Sequence, residues 1–130
     1  MMKKLVSAIL AVSLLLPGLV LAQQNTSNMI AVAAIDKTGS AAVSSQAGRS
    51  PYFLLFDRQG RLVEAVSNPY KDSANAGVPT LDFLAGKGVK VVVAEGFGSK
   101  IVGEMKGKGM RPVEFKGNAK DAVAQALGSK

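Results

Sequence analysis

Two kinds of apolar pattern alternate along the chain. Five segments are short apolar or alternating runs of the kind typical of β-strands: 29–36, 52–57, 61–67, 89–95 and 110–116. Three segments carry apolar residues at helical spacing: 80–88, 97–105 and 117–127. The predicted order of elements is therefore βββαβαβα.

Turn and cap residues refine this order. Residues 58–60 form a short Gly-containing turn, which indicates a hairpin between the second and third strands. The first helix is predicted to begin around 74–77 and to stop near Gly86. Asn118 is a candidate N-cap of the last helix, and Pro112 favours an edge position for the fifth strand. Two antiparallel strands followed by alternating helices and strands predict one α/β domain, with a mixed sheet and helices on both of its faces.

The first 22 residues have the features of a secretory signal. A basic start, "MMKK", precedes an apolar run and a small-residue ending at Ala22. The apolar run approaches the length of a bilayer span, which leaves an uncleaved anchor open. Residues 23–28 are polar and predicted to be disordered, residues 29–127 form the domain, and 128–130 form a tail. We expect a periplasmic or secreted protein with no stable membrane span after signal removal.

The amino-acid composition excludes several kinds of metal site and active site. The chain has no cysteine and no histidine, which excludes thiolate and imidazole ligands and every catalytic triad that uses His. A Ser–Lys pair remains formally open, but no enzyme is predicted. Without Lys3 and Lys4, 14 basic and 9 acidic residues leave a net charge of +5, which favours a small anionic ligand. The basic residues are scattered and not interleaved with aromatics, so no nucleic-acid partner is predicted.

Three loops are candidates for a site: 37–51, 68–77 and 95–100. Two of them should meet beyond the strand ends, where open α/β sheets bind ligands. In "EGFGSK" (95–100) two glycines permit close backbone approach and a helix begins, although a plain tight turn is the alternative. Arg49 is suited to clamping an oxyanion, and the alternative is a structural pair with Asp57 or Asp36.

The acidic residues and the methionines are two further candidates for metal ligands. The acidic residues show no close pairing, so neither a carboxylate dyad nor an Asp-x-Asp metal cluster is evident. Thioethers suit Cu(I), but Met105 lies on the helical stripe and Met110 at a strand start. Core packing is therefore the preferred interpretation for these two residues and for Met29.

The segment "MIAVAAIDKTGSAAVSSQAGRSPYFLLFD" resembles the opening of the dinitrogenase iron–molybdenum cofactor family. "RLVEAVSNP" fits the third strand of that family, and the elements from "ANAGVPTLDFL" to the last helix follow in its order, so the resemblance covers 29–127. It implies a ribonuclease-H-like fold without nuclease activity. It also implies binding of the iron–molybdenum cofactor, its precursors or a related metal–sulfur cluster.

The resemblance also implies a set of ligand-facing residues. Carried over by motif, they are Ser44, Gln46, Gly48, Arg49, Asn75, Gly77, Gly96, Phe97 and Gly98. The chain departs from the family in having Gln46 where the family commonly has His, and Asn75 in a segment that opens with His elsewhere. The prediction is an exported small carrier that holds an anionic metallocluster or an oxyanion in the three loops. The alternative is a protein-interaction module that kept the fold without the ligand, and a protein partner stays open.

Overall fold

The computed structural model describes residues 28–128. The predicted signal (1–22), all but the last residue of the predicted disordered segment (23–28) and the end of the predicted tail lie outside the described residues. Between residues 28 and 128, no helix combines the length and the apolar character needed to cross a bilayer.

The elements occur in the predicted order. The strands are β1 (Met29–Ala34), β2 (Tyr52–Phe56), β3 (Leu62–Ser67), β4 (Val89–Ala94) and β5 (Arg111–Glu114). The helices are α1 (Gly77–Gly86), α2 (Ser99–Gly107) and α3 (Ala119–Gly128). Asn118 acts as the predicted N-cap of α3, because its side-chain oxygen accepts a hydrogen bond from the N–H of Asp121 at 2.9 Å. The predicted α/β fold is confirmed.

The five strands form one mixed sheet in the order β3-β2-β1-β4-β5. β1 lies at the centre, antiparallel to β2 and parallel to β4, and β5 continues the parallel part beyond β4. All six residues of β1 are buried, as its unbroken apolar run predicts for a strand covered on both faces.

Helices cover both faces of the sheet, as predicted. On one face, Leu81 and Leu84 of α1 and Met105 of α2 pack against side chains from β1, β2 and β4. On the other face, α3 packs against the sheet through buried residues that are mostly alanine: Ala119, Ala122, Val123 and Ala126. Met29, Met105 and Met110 are buried in the first cluster, so the interpretation of the methionines as core residues is confirmed.

The two edge strands differ from the central ones. Pro112 lies in β5, where the missing N–H faces no partner strand, as the sequence predicts. The alternation along 61–67 is typical of a half-buried strand, but Leu62 and Val63 of β3 are exposed. The pairing register of β2 and β3 shifts between Leu55 and Phe56, so a bulge interrupts the alternation that the sequence shows.

The turn between β2 and β3 depends on one buried carboxylate. Asp57 accepts hydrogen bonds from the N–H groups of Gln59 and Arg61 and from the Arg61 side chain, at 2.9, 3.0 and 2.9 Å. These donors, led by the Arg61 N–H and opposed by burial, hold the pKa of Asp57 below its usual range.

We expect Asp57→Asn to lower the free energy of unfolding at neutral pH by about 1–2 kcal/mol, because the charge-assisted hydrogen bonds are weakened. A carboxyl with a lowered pKa stabilises the fold above its unfolded pKa and stops doing so as pH falls through its folded pKa. The difference between wild type and variant should therefore shrink as pH falls below about 4. Urea unfolding at pH 7 and pH 3 measures this, and a difference that stays constant would contradict it.

Candidate functional site

All three candidate loops meet at one end of the sheet, beyond the carboxyl ends of β1 and β4. Together they line a cavity of about 490 Å³. Eight of the nine residues implied by the resemblance lie in its lining: Gln46, Gly48, Arg49, Asn75, Gly77, Gly96, Phe97 and Gly98. Sequence reasoning expected two loops to meet, and the structure brings together three.

The first loop is fixed to the ends of the two central strands. The N–H of Ser44 donates to Ala33 O at 2.8 Å, and Ser44 O accepts from the N–H of Glu95 at 3.0 Å. Ser44 itself is buried, and its hydroxyl is directed to Gln46 O rather than to the cavity. Ser44 therefore lies outside the lining, and its exposed neighbour Ser45 lies in it.

A buried polar network binds the backbone in the middle of this loop. Gly48 O accepts hydrogen bonds from the side-chain amide of Asn68 at 3.1 Å and from the hydroxyl of Thr80 at 2.9 Å. Asn68 and Thr80 are 3% and 1% exposed. Because buried polar groups are costly to leave unpaired, the network fixes the position of the loop relative to α1.

The second loop brings α1 against the first loop and against α2. A Cβ built on Gly77 would lie 2.6 Å from Cγ1 of Ile101, and one built on Gly48 would lie 3.0 Å from the Cα of Gly77. Gly77 therefore has no room for a side chain unless Ile101 moves, and the space at Gly48 is tight. Asn75 precedes the helix with a φ of 55°, a left-handed conformation that Asn tolerates better than most residues.

The third loop leads from β4 into α2. Gly98 is the N-cap of α2, and no side chain caps this helix start. The first N–H groups of the helix are thus left for a ligand or water. Phe97 and Ile101 are partly buried and pack against the core, and they give the cavity an apolar wall.

Three charged side chains line the cavity: Arg49, Lys100 and Glu104. The alternative interpretation of Arg49, a structural pair with Asp57 or Asp36, is wrong. Asp57 binds Arg61, and Asp36 accepts from the N–H and hydroxyl of Thr38. Arg49 instead donates from Nη1 to Lys71 O at 3.0 Å, which links the first loop to the second and leaves the rest of its guanidinium exposed.

The family model described as dinitrogenase iron-molybdenum cofactor matches residues 29–129. The chain belongs to this family. The match agrees with the resemblance of the sequence, and it includes every residue of the three loops.

Two solved structures are similar to this chain in fold. The apo form of the orange protein from Desulfovibrio gigas is 24% identical with a TM-score of 0.72, over 78% of this chain and 88% of that one. A NifB candidate from Thermotoga, placed in the DUF35 family, is 26% identical with a TM-score of 0.64, over 77% of this chain and 86% of that one. No curated protein matches the sequence.

This member of the iron–molybdenum cofactor family offers a ligand neither thiolates nor imidazoles, since it has no Cys and no His. Among residues 28–128, no group of three or more acidic side chains is placed to hold a metal ion. The cavity provides instead a guanidinium, an ammonium, two side-chain amides and glycine-rich backbone. These groups suit an anion whose metal centres already carry their own ligands, and do not suit a bare metal ion.

Sequence reasoning missed part of the lining. Ile101 and Glu104 lie on α2 and line the cavity. The helical spacing of residues 97, 101 and 105 indicates which face of α2 is apolar, but it does not show that this helix borders the cavity. Asn68 and Thr80 support the loop from positions 20 and 32 residues away from Gly48. No local sequence pattern predicts a contact between residues so far apart in the chain.

Proposed function

We propose that this protein is an exported carrier that holds an anionic metal–sulfur cluster or an oxyanion in the cavity between its three loops. The observation that carries the proposal is the convergence of Gln46, Arg49 and Asn75 with glycine-rich backbone around one cavity. The family to which the chain belongs is named for a metal cofactor, which supports the same class of ligand.

The lining suits this class of ligand in size and polarity. A cavity of about 490 Å³ is within the range of small-molecule sites. Phe97 and Ile101 provide an apolar wall, which excludes water and strengthens hydrogen bonds to a charged ligand. Arg49 and Lys100 outnumber the carboxylate of Glu104, so the charged side chains of the lining favour an anion.

In this proposal the cluster is cargo. Gln46 and Asn75 donate hydrogen bonds to the ligand from their side-chain amides, and Arg49 donates from its planar guanidinium. Lys100 adds a positive point charge. No protein atom needs to enter the coordination shell of a metal, so the ligand can be taken up and released intact. The sequence of residues 1–22 supports export of the carrier.

Arg49→Gln is expected to weaken anion binding by about 10-fold or more, because charge-assisted hydrogen bonds from the guanidinium are lost. Titration calorimetry with molybdate, tungstate, phosphate and tetrathiomolybdate measures the effect on the chain from Gln23. Arg49→Lys should recover only part of the affinity, since an ammonium does not form two parallel hydrogen bonds.

The matched control is Lys116→Gln, which removes one positive charge from an exposed position outside the cavity lining. It should change affinity by less than about 2-fold, because exposed charges are screened by salt. If none of the four anions binds the wild type, or if both variants weaken binding equally, the proposed mechanism is wrong. The interaction module would then be the better account.

A further inference from the structure

The end of the sheet opposite the cavity brings together segments distant in sequence. β1, β4 and β5 run parallel, so their first residues lie at this end, next to the ends of α1 and α2. The N–H of Met29 donates to Gly88 O at 2.9 Å, and Arg111 pairs with Val91. The turn between β2 and β3 lies here too, because Ile30 pairs with Phe56. We call this the basal end.

The basal end carries seven of the basic residues that the structure describes. Arg58 and Arg61 lie in the β2–β3 turn, and Lys87 and Lys90 flank the start of β4. The other three are at the end of α2 and the start of β5: Lys106, Lys108 and Arg111.

Of the carboxylate side chains that the structure describes, three lie at the basal end, and each is paired with a cation there: Asp57, Glu64 and Asp82. Among residues 28–128, the basal end thus has four more basic than acidic side chains. The remaining described residues, toward the cavity end, have six basic and six acidic side chains. The surplus positive charge of residues 28–128 is therefore confined to one end. Arg58, Lys90 and Lys106 are exposed and, within the described part of the chain, form no ion pair.

The chain outside the described structure joins the domain at this same end. Residue 28 directly precedes β1, and the sequence before it contains the apolar run 5–22, which has the length of a bilayer span. Only residues 23–28 separate that run from β1, and six residues reach about 20 Å at full extension. While the apolar run lies in a membrane, the basal end can lie no farther than about two and a half Debye lengths from the lipid headgroups at physiological salt.

We propose that the basal end is a docking surface for an anionic phospholipid bilayer, with the cavity directed away from the lipid. Basic residues close to an anionic bilayer are attracted to its surface potential, and the attraction fades beyond a Debye length. Because the charge is fixed to the folded domain, the surface persists after cleavage at Ala22. The proposal does not depend on which ligand the cavity holds.

Co-sedimentation with vesicles tests the proposal on the chain from Gln23, since both core clusters consist of residues 29–126. One set of vesicles is phosphatidylcholine alone, and the other contains about 30% phosphatidylglycerol. We expect binding only to the anionic vesicles, and its loss in about 0.5 M NaCl. The double variant Lys90→Glu/Lys106→Glu should bind them at least about 10-fold more weakly. A Gln version of the same pair should give an intermediate loss, and circular dichroism checks that each variant folds.

The matched control is Lys116→Glu/Lys120→Glu, which changes the net charge equally at the other end of the domain. It should retain anionic vesicle binding within about 3-fold. Equal losses in the two double variants would show that net charge alone matters, and equal binding to neutral vesicles would exclude headgroup recognition. Displacement from the vesicles by polyuridylate at equal phosphate concentration would assign the surface to nucleic acid instead. Each of these three results overturns the proposal.

Discussion

Asn68→Ala is expected to lower the free energy of unfolding by about 2–3 kcal/mol, since it removes a buried donor and acceptor together. Asn68 Nδ2 donates to Gly48 O, and its Oδ1 accepts from the N–H of Tyr70 at 3.0 Å. The Thr80 hydroxyl lies 3.2 Å from the same Oδ1. Truncation leaves the Tyr70 N–H without its partner and leaves Gly48 O with Thr80 alone. The middle of the first loop should then become mobile.

Two measurements separate this effect from a general loss of packing. Urea unfolding gives the change in stability, and hydrogen exchange should show faster exchange of the Tyr70 amide before global unfolding. Asn68→Asp keeps the shape but loses the donor to Gly48 O and buries a charge, so it should be at least as destabilising. Ser67→Ala, at the exposed neighbouring position, should stay within about 0.5 kcal/mol of wild type. Equal stability of Asn68→Ala and wild type would contradict the role of the network.

Gly77→Ala is expected to cost about 2–3 kcal/mol, because its new Cβ overlaps Ile101 and forces α1 and α2 apart. The same change displaces the apolar wall of the cavity, so binding of the anion should weaken together with stability. In the Ile101→Ala background the overlap is absent. There Gly77→Ala should be neutral or stabilising by up to about 1 kcal/mol, because Ala is the better helix former.

A double-mutant cycle on these two positions provides the measurement. The expected coupling is about 2 kcal/mol or more, obtained from urea unfolding of the two single variants and the double variant. Gly86→Ala is the control, since a Cβ there has nothing within 4 Å. Equal cost of Gly77→Ala in both backgrounds would show that the close approach of the helices is not what requires glycine at this position.

Much of the fold could be predicted because its signals are local. The apolar run of β1 indicates a strand buried on both faces, and Asn118 and Pro112 mark a helix start and an edge strand within one or two residues. The bulge in β3 was not visible, because it depends on how β2 and β3 pair rather than on either sequence alone. β1 ends at Ala34, short of the predicted 36, since the N–H of Ile35 turns to Ala42 O in the loop that follows.

The candidate site was predictable in its loops and less so in its contacts. Glycines and polar residues placed the three loops, and the family resemblance named eight of the residues that line the cavity. Ser44 and Ser45 are neighbours of the same type, and only the backbone hydrogen bonds of the folded loop decide which of them faces inward. The partner of Arg49 is a carbonyl oxygen of residue 71, and no pattern of residue types identifies a backbone acceptor.

We propose above all that the cavity carries an anionic metallocluster or an oxyanion. Elemental and native mass analysis of the protein purified from its own cell compartment tests it most directly, with Gly77→Ala purified in parallel. We predict a metal-containing or oxyanion species bound to the wild type in near-stoichiometric amount and depleted in the variant. A wild-type protein whose native mass equals that of the polypeptide alone, with no metal or oxyanion co-purifying, would contradict the claim.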